Sequence, residues 1–243
     1  MNILGLIPAR YASSRFPGKP LVDIAGKTMI RRVYEQAAQA KLLQRVAVAT
    51  DDERIAGEVR RFGGEVVMTS DQHRSGTDRC AEAVKLVQGD WDVVINIQGD
   101  EPFIQPEQID LLCALFSEDG TQIGTLVKKA HRPEEVFNPN TIKVVLDGQG
   151  NGLYFSRAPI PFLRNFPGDT WLEHHLFYKH IGIYGYRAAV LQELTKLPEG
   201  LLEKAESLEQ LRWLENGYRI RTAFTELETV SVDTPEDLKR LPL

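Results

Sequence analysis

Along the first hundred residues, short and nearly unbroken apolar runs alternate with longer stretches of helical periodicity. The runs cover residues 3–7, 46–49, 66–68 and 93–97. Between them, Met29, Val33 and Ala37 recur at helical spacing behind Thr28 as a cap. Ile55, Val59 and Phe62 recur behind Asp51 and Asp52 until Gly63 and Gly64 stop the pattern. A third helix is predicted from Thr77, read as its N-cap, to near Gly89. Strands alternating with helices of this length predict βαβ units. Strands without polar alternation predict a sheet covered on both faces. Pro8 is expected to end the first strand. The expected fold is α/β, a three-layer sandwich with a mixed, mostly parallel central sheet. In such sheets ligands sit beyond the carboxyl ends of the strands, which singles out the loops after Ile7, Met68 and Ile97.

The second half has a different texture. Residues 141–146 and 153–155 flank Asp147-Gly148-Gln149-Gly150 and predict a hairpin. Residues 179–186 alternate, with His180, Gly182, Tyr184 and Tyr186 on one face and Ile181 and Ile183 on the other. Leu208, Leu211 and Leu214 predict a helix ended by Asn216-Gly217, and residues 230–232 a last short strand. Thr234-Pro235-Glu236-Asp237 then has the cap, proline and acids of a helix start. No linker or repeat divides the chain, so residues 1–243 are expected to form one domain, elaborated over about 130–230.

Composition narrows the function classes. The 243 residues carry a net charge of −5. A surface of that sign does not attract nucleic acid or anionic lipid, and no run is long enough to insert into a membrane. The two cysteines, Cys80 and Cys113, lack the spacing of a disulfide framework or a zinc site. The amino-terminal residues lack a basic, apolar leader pattern, which leads to a cytoplasmic expectation.

Against this acidic background, one loop is basic. Arg10, Arg15 and Lys19, with Ser13, Ser14 and Gly18, follow the first strand directly. Such a cluster suits a polyphosphate, with backbone N–H groups cradling oxygens and cations neutralising charge. The loop matches neither GxxxxGK[ST] nor GxGxxG, which counts against P-loop ATPases and Rossmann dehydrogenases. HExxH and GxSxG are also absent.

The run Ile7-Pro8-Ala9-Arg10-Tyr11-Ala12-Ser13-Ser14-Arg15-Phe16-Pro17-Gly18-Lys19-Pro20-Leu21 closely resembles the signature of the 3-deoxy-manno-octulosonate cytidylyltransferase (CMP-Kdo synthetase) family. Further stretches resemble it in the same order. They include His73-Arg74-Ser75-Gly76-Thr77-Asp78-Arg79, Asn96-Ile97-Gln98-Gly99-Asp100-Glu101-Pro102, Phe137-Asn138-Pro139-Asn140, Tyr154-Phe155-Ser156-Arg157, residues 180–187, residues 208–212 and residues 232–238. The resemblance implies a nucleotidyltransferase with a glycosyltransferase-A-like core. It implies an enzyme of lipopolysaccharide synthesis, cytoplasmic and homodimeric, that couples CTP to 3-deoxy-D-manno-octulosonate (Kdo) with Mg²⁺, giving CMP-Kdo and pyrophosphate. The elaborated second half would serve sugar-acid binding and dimerisation.

Candidate residues follow partly from chemistry and partly from the resemblance. Asp100 reads equally well as a turn acid, and Asp233 reads better as a helix-start acid. The resemblance makes both metal ligands, and a Mg²⁺ ion commonly takes one or two carboxylates plus phosphate oxygens. Arg10, Lys19, Asp100 and Asp233 are then the expected catalytic set. Ala9, Arg10, Arg15, Lys19, Arg74, Ser75 and Gly76 are the expected nucleotide contacts. By resemblance, Gln98, Arg157, Arg164, His180, Tyr184, Glu209 and Gln210 contact the sugar acid, although each also has a packing or solvated reading. Related sugar acids, 8-amino-Kdo or sialic acid, are the alternative substrates. A non-catalytic sugar-nucleotide-binding module would be expected to lack Asp100 or Lys19, and a sugar-1-phosphate nucleotidyltransferase would have a glycine-rich loop at residues 11–14.

Overall fold

The computed structural model describes residues 1–12, 16–228 and 230–241. Its elements, in chain order, are β1 (Ile3–Ala9), β2 (Asp23–Ile24), β3 (Lys27–Thr28), α1 (Met29–Ala37), β4 (Arg45–Thr50), α2 (Glu53–Arg61), β5 (Val66–Met68), α3 (Gly76–Leu86), β6 (Val93–Asn96) and α4 (Pro106–Ala114). There follow β7 (Ile123–Lys129), α5 (Pro133–Phe137), β8 (Lys143–Leu146), β9 (Gly152–Ser156), α6 (Trp171–His174), β10 (Tyr178–Arg187), α7 (Ala188–Leu194), α8 (Leu201–Glu206), α9 (Gln210–Glu215) and β11 (Ile220–Phe224).

A mixed sheet has the order β11-β7-β10-β6-β1-β4-β5, and the β8–β9 hairpin joins it through β10. β6, β1, β4 and β5 pair in parallel, while β10 runs antiparallel to both β6 and β7. Strand alternation divides the core. Ile3 and Ile7 face a cluster with Ile30 and Val33 of α1, Ile55 and Val59 of α2, and Ile109 and Leu112 of α4. Leu4 and Leu6 face Cys80 and Ala83 of α3, Leu191 of α7, and Leu211 and Trp213 of α9. This is the expected three-layer arrangement.

Several local expectations are corrected. β1 continues through Pro8 to Ala9, paired with β4 up to Thr50, while its pairing with β6 stops at Leu6. Pro8, without an N–H, therefore sits where β6 has already left the ladder. Ser75, not Thr77, caps α3, accepting from the Asp78 amide, and the Asp78 carboxylate returns to the Ser75 amide. The Thr77 hydroxyl is used elsewhere, as described below. Thr28 occupies the cap position of α1, but its hydroxyl donates to Glu58. Residues 230–232 form no strand; the Val232 amide donates to the Asp100 carbonyl at 2.9 Å. The helix after Thr234 is 3-10 (Pro235–Arg240).

Candidate active site

The carboxyl ends of β1, β5 and β6 open onto one cavity of about 420 Å³. Ala9 lines it from the end of β1, and Arg10, Ala12 and Lys19 from the segment that follows. Ser75, Gly76 and Arg79 line it from the start of α3, and Gln98, Gly99 and Asp100 from the turn after β6. Two glycines shape this wall. Gly18 holds φ at +72° and its amide donates to the Tyr11 carbonyl at 2.9 Å, folding the loop back and presenting Lys19 at the head of a 3-10 turn. A Cβ on Gly99 would stand 2.9 Å from the Pro8 carbonyl oxygen, so the two strand ends approach this closely only through glycine.

Lys19 connects the two aspartates. Its ammonium lies 2.8 Å from Asp100 Oδ2 and 3.7 Å from Asp233 Oδ1. The Val232–Asp100 backbone bond holds the two segments together. Residues far apart in sequence thus place two carboxylates around one cation. An all-oxygen pair of this kind fits Mg²⁺. No group of three or more His, Cys, Asp or Glu among the described residues could hold a metal. The remaining ligands would be phosphate and water, which is usual for this ion.

Arg10 is held by a bond from Nη2 to the Arg74 carbonyl at 3.1 Å. Arg74 itself lines a separate cleft with Gln72 and His73, so its link to the cavity is through its backbone. Arg15 lies outside the described residues.

The expected sugar-acid residues are more dispersed. Glu209 accepts from the Thr77 hydroxyl at 2.7 Å, which puts it beside the start of α3. Burial raises its carboxyl proton affinity, against the lowering effect of Thr77 and Ser75. Gln210 is buried at the head of α9. The Tyr184 ring packs against His180 and Trp213, and its buried hydroxyl has no partner among the described residues. Arg157 donates to the carbonyls of Glu206 (2.7 Å), Pro139 (3.2 Å) and Ser207 (3.3 Å), so its guanidinium ties three loops together. Buried Lys143 reinforces that knot by donating to the Asn138, Thr141 and Arg157 carbonyls at 2.5–2.8 Å. Arg164 is exposed on the segment before α6.

His180 lies where β10 slips register against β7, between Ile181 and Tyr184. The Thr125 hydroxyl fills that irregularity, 2.8 Å from His180 Nε2 and 2.8 Å from the Ile183 carbonyl. Burial depresses the imidazole to about 3. It is therefore neutral near pH 7 and could meet a ligand only as a hydrogen-bonding group.

Two residues were given no site role by sequence reasoning: Arg79, which lines the cavity, and its partner Asp51, read only as a helix cap. Arg79 sits on the helix face that carries buried Cys80 and Ala83, and a cation on an apolar face was the available signal.

The sequence profile of the cytidylyltransferase family matches residues 4–220. A 3-deoxy-manno-octulosonate cytidylyltransferase of Parabacteroides distasonis is 57% identical over 99% of this chain and 96% of its own. That of Bacteroides thetaiotaomicron is 58% identical over 98% and 96%. The solved structure of a CMP:2-keto-3-deoxy-manno-octonic acid synthetase complexed with CTP superposes with a TM-score of 0.91 at 45% identity, covering 99% of this chain and 96% of that one. A 4-diphosphocytidyl-2C-methyl-D-erythritol synthase from Anaerococcus prevotii shares the fold alone, at 12% identity and a TM-score of 0.63. No helix among the described residues is long and apolar enough to cross a membrane. The chain belongs to the cytidylyltransferase family, among the 3-deoxy-manno-octulosonate cytidylyltransferases.

Proposed function

We infer that this protein transfers the cytidylyl group of CTP to Kdo, giving CMP-Kdo and pyrophosphate. The observation that carries the reading is the convergence of Arg10, Lys19 and Asp100 on one cavity, with Asp233 brought to it through Lys19. The anomeric hydroxyl oxygen of Kdo attacks the α-phosphorus. The bond from that phosphorus to the bridging oxygen breaks, pyrophosphate leaves, and the hydroxyl proton passes to solvent. The reaction needs positioning and charge stabilisation more than covalent help from the protein.

Arg10, Arg15 and Lys19 hold the triphosphate in this reading, with Ala9, Arg74, Ser75 and Gly76 completing the nucleotide contacts. Asp100 and Asp233 would hold Mg²⁺, which when bound neutralises phosphate charge and polarises the phosphorus toward attack. Lys19 then has two stations. Without ligand its ammonium neutralises the aspartates; with ligand it is released toward phosphate. Gln98, Tyr184, His180, Glu209 and Gln210 border the sugar acid, and Arg157 and Arg164 supply positive charge to its carboxylate.

We also propose that the protein works as a homodimer in the cytoplasm. Phe162 and Leu176, 74% and 50% exposed, stand near a groove of about 700 Å³ lined by Pro161, Leu172 and Leu176 in the elaborated second half. Both cysteines are free and buried, which suits a reducing compartment.

The test is a pyrophosphate-release assay crossing ATP, CTP, GTP and UTP with Kdo, 8-amino-Kdo and sialic acid. Release is expected chiefly from CTP with Kdo. Release from another nucleotide, or only with another sugar acid, overturns the assignment.

A further inference from the structure

Arg79 is a buried cation whose bonds leave part of its donor set unused. It is 3% exposed yet lines the nucleotide cavity. Nη1 donates to Thr69 Oγ1 at 2.6 Å and reaches the Ser70 carbonyl at 3.4 Å. Nη2 pairs with Asp51 Oδ1 at 3.2 Å. A guanidinium has five N–H donors in a fixed plane. Nη2 meets Asp51 Oδ1 as an ion pair without a hydrogen bond, and among the described residues neither Nε nor Nη2 of Arg79 donates one. The segments after β4 and β5 thus hold the guanidinium through the Nη1 bonds to Thr69 and Ser70 and the ion pair with Asp51. Such a group meets a ligand with little loss of side-chain freedom.

The sheet order indicates which part of a bound nucleotide Arg79 faces. Asp100 follows β6 and Asp51 follows β4, on opposite sides of β1 in the sheet. A nucleotide whose phosphates lie toward Asp100 and Lys19 extends its base toward β4 and β5. We propose that Arg79 reads the nucleobase, donating to the adjacent acceptors O2 and N3 of cytosine. Uracil has a hydrogen on N3 and presents a donor there, so a fixed guanidinium opposes it. Burial and the nearby Arg10 charge lower the proton affinity of Arg79, with Asp51 opposing, so an acceptor-rich partner stabilises the buried charge. This inference rests on the CTP reading above and adds a specificity-determining residue to it.

Equilibrium binding of CTP, UTP and 3-deaza-CTP, in which a C–H replaces N3, tests the proposal on the wild-type protein. A good bidentate contact discriminates by about 1–3 kcal/mol, or roughly 5- to 150-fold. CTP is expected to bind at least about tenfold more tightly than either analogue. In Arg79→Lys the CTP advantage should shrink to within about threefold, mostly by loss of CTP affinity. Equal binding of CTP and 3-deaza-CTP by the wild type overturns the proposal while leaving cytidylyl transfer standing. A parallel loss of CTP and UTP affinity in Arg79→Lys also overturns it, in favour of a phosphate contact. Wild-type protein that binds no CTP removes the underlying reading as well. The analogue comparison needs no variant, so the proposal stands or falls on it even where Arg79→Lys folds poorly.

Discussion

At the scale of single residues, catalysis in this site depends on charges held near one another. The Asp100 side chain is 29% exposed, so it contributes little packing. Asp100→Asn is expected to lower turnover by about a hundredfold to a thousandfold, the size of effect seen when a transition-state electrostatic contact is removed. Its melting temperature should stay within a few degrees of wild type. Lys19→Met should weaken CTP binding at least tenfold and cytidine binding much less, measured by calorimetry; equal losses would contradict a phosphate role. His180 gives a pH signature. Its folded value of about 3 lies below the ordinary 6.5. As pH falls from 6.5 toward 3, the unfolded chain takes up a proton that the folded chain refuses. Stability is therefore lost over that window, by up to about 1.4 kcal/mol per pH unit. His180→Gln should flatten the dependence of urea midpoint on pH between 4 and 6. An unchanged slope would show that the imidazole titrates freely in the folded protein.

At the scale of elements, a network of buried charges ties the segment that follows β11 to β10 and α5. Buried Lys179 of β10 bonds Glu135 at the start of α5 and Glu228 beyond β11, both at 2.5 Å. Lys128 donates to the Glu226 carbonyl at 2.7 Å. Burial raises the Glu135 carboxyl, but Lys179 and the His131 and Arg132 amides bring it down to about 2. Lys179→Met leaves Glu135 buried without its cation. It should cost about 3–5 kcal/mol in chemical denaturation, and a cost under 1 kcal/mol would deny the network its anchoring role. The strands and helices of the first half were legible because β1, β4 and β6 are apolar runs and α1 and α2 are amphipathic. Caps were less legible. Ser75 and Thr77 are both good capping residues, and only the fold shows that Thr77 is drawn away by Glu209, 132 positions along the chain. The strand expected at residues 230–232 failed because apolar β-branched residues there pack one side chain, Val232, into a small cluster with Ile24 and Met29 rather than joining a ladder.

At the scale of the whole molecule, sheet order brings the site together. β10, inserted antiparallel between β7 and β6, runs away from the carboxyl ends of the parallel strands, and β11, parallel to β7, carries the chain back to that end ahead of Asp233. The basic loop and Asp100 were visible in sequence because they interrupt apolar strands. Asp233 joins them only through folding, and without the family resemblance it reads as an ordinary helix-start acid. Arg157 shows another limit: its type suggests a carboxylate contact, and only the fold shows that its donors also hold loop carbonyls. If the exposed Phe162 and Leu176 surface joins two copies, Phe162→Asp should shift the sedimentation coefficient from dimer to monomer at micromolar protein. A monomeric wild type would remove the dimer.

In the proposed mechanism, two distant aspartates and a basic loop, brought together by the sheet, act on the α-phosphorus of CTP. Single-turnover formation of CMP-Kdo decides whether they do. It should be followed in wild type, Asp100→Asn and Asp233→Asn, at saturating CTP, Kdo and Mg²⁺ and with folding checked by melting temperature. Rapid product formation is expected of the wild type, with a loss of at least about a hundredfold in each folded variant. Product formation within tenfold of wild type in either variant would take that aspartate out of the chemistry.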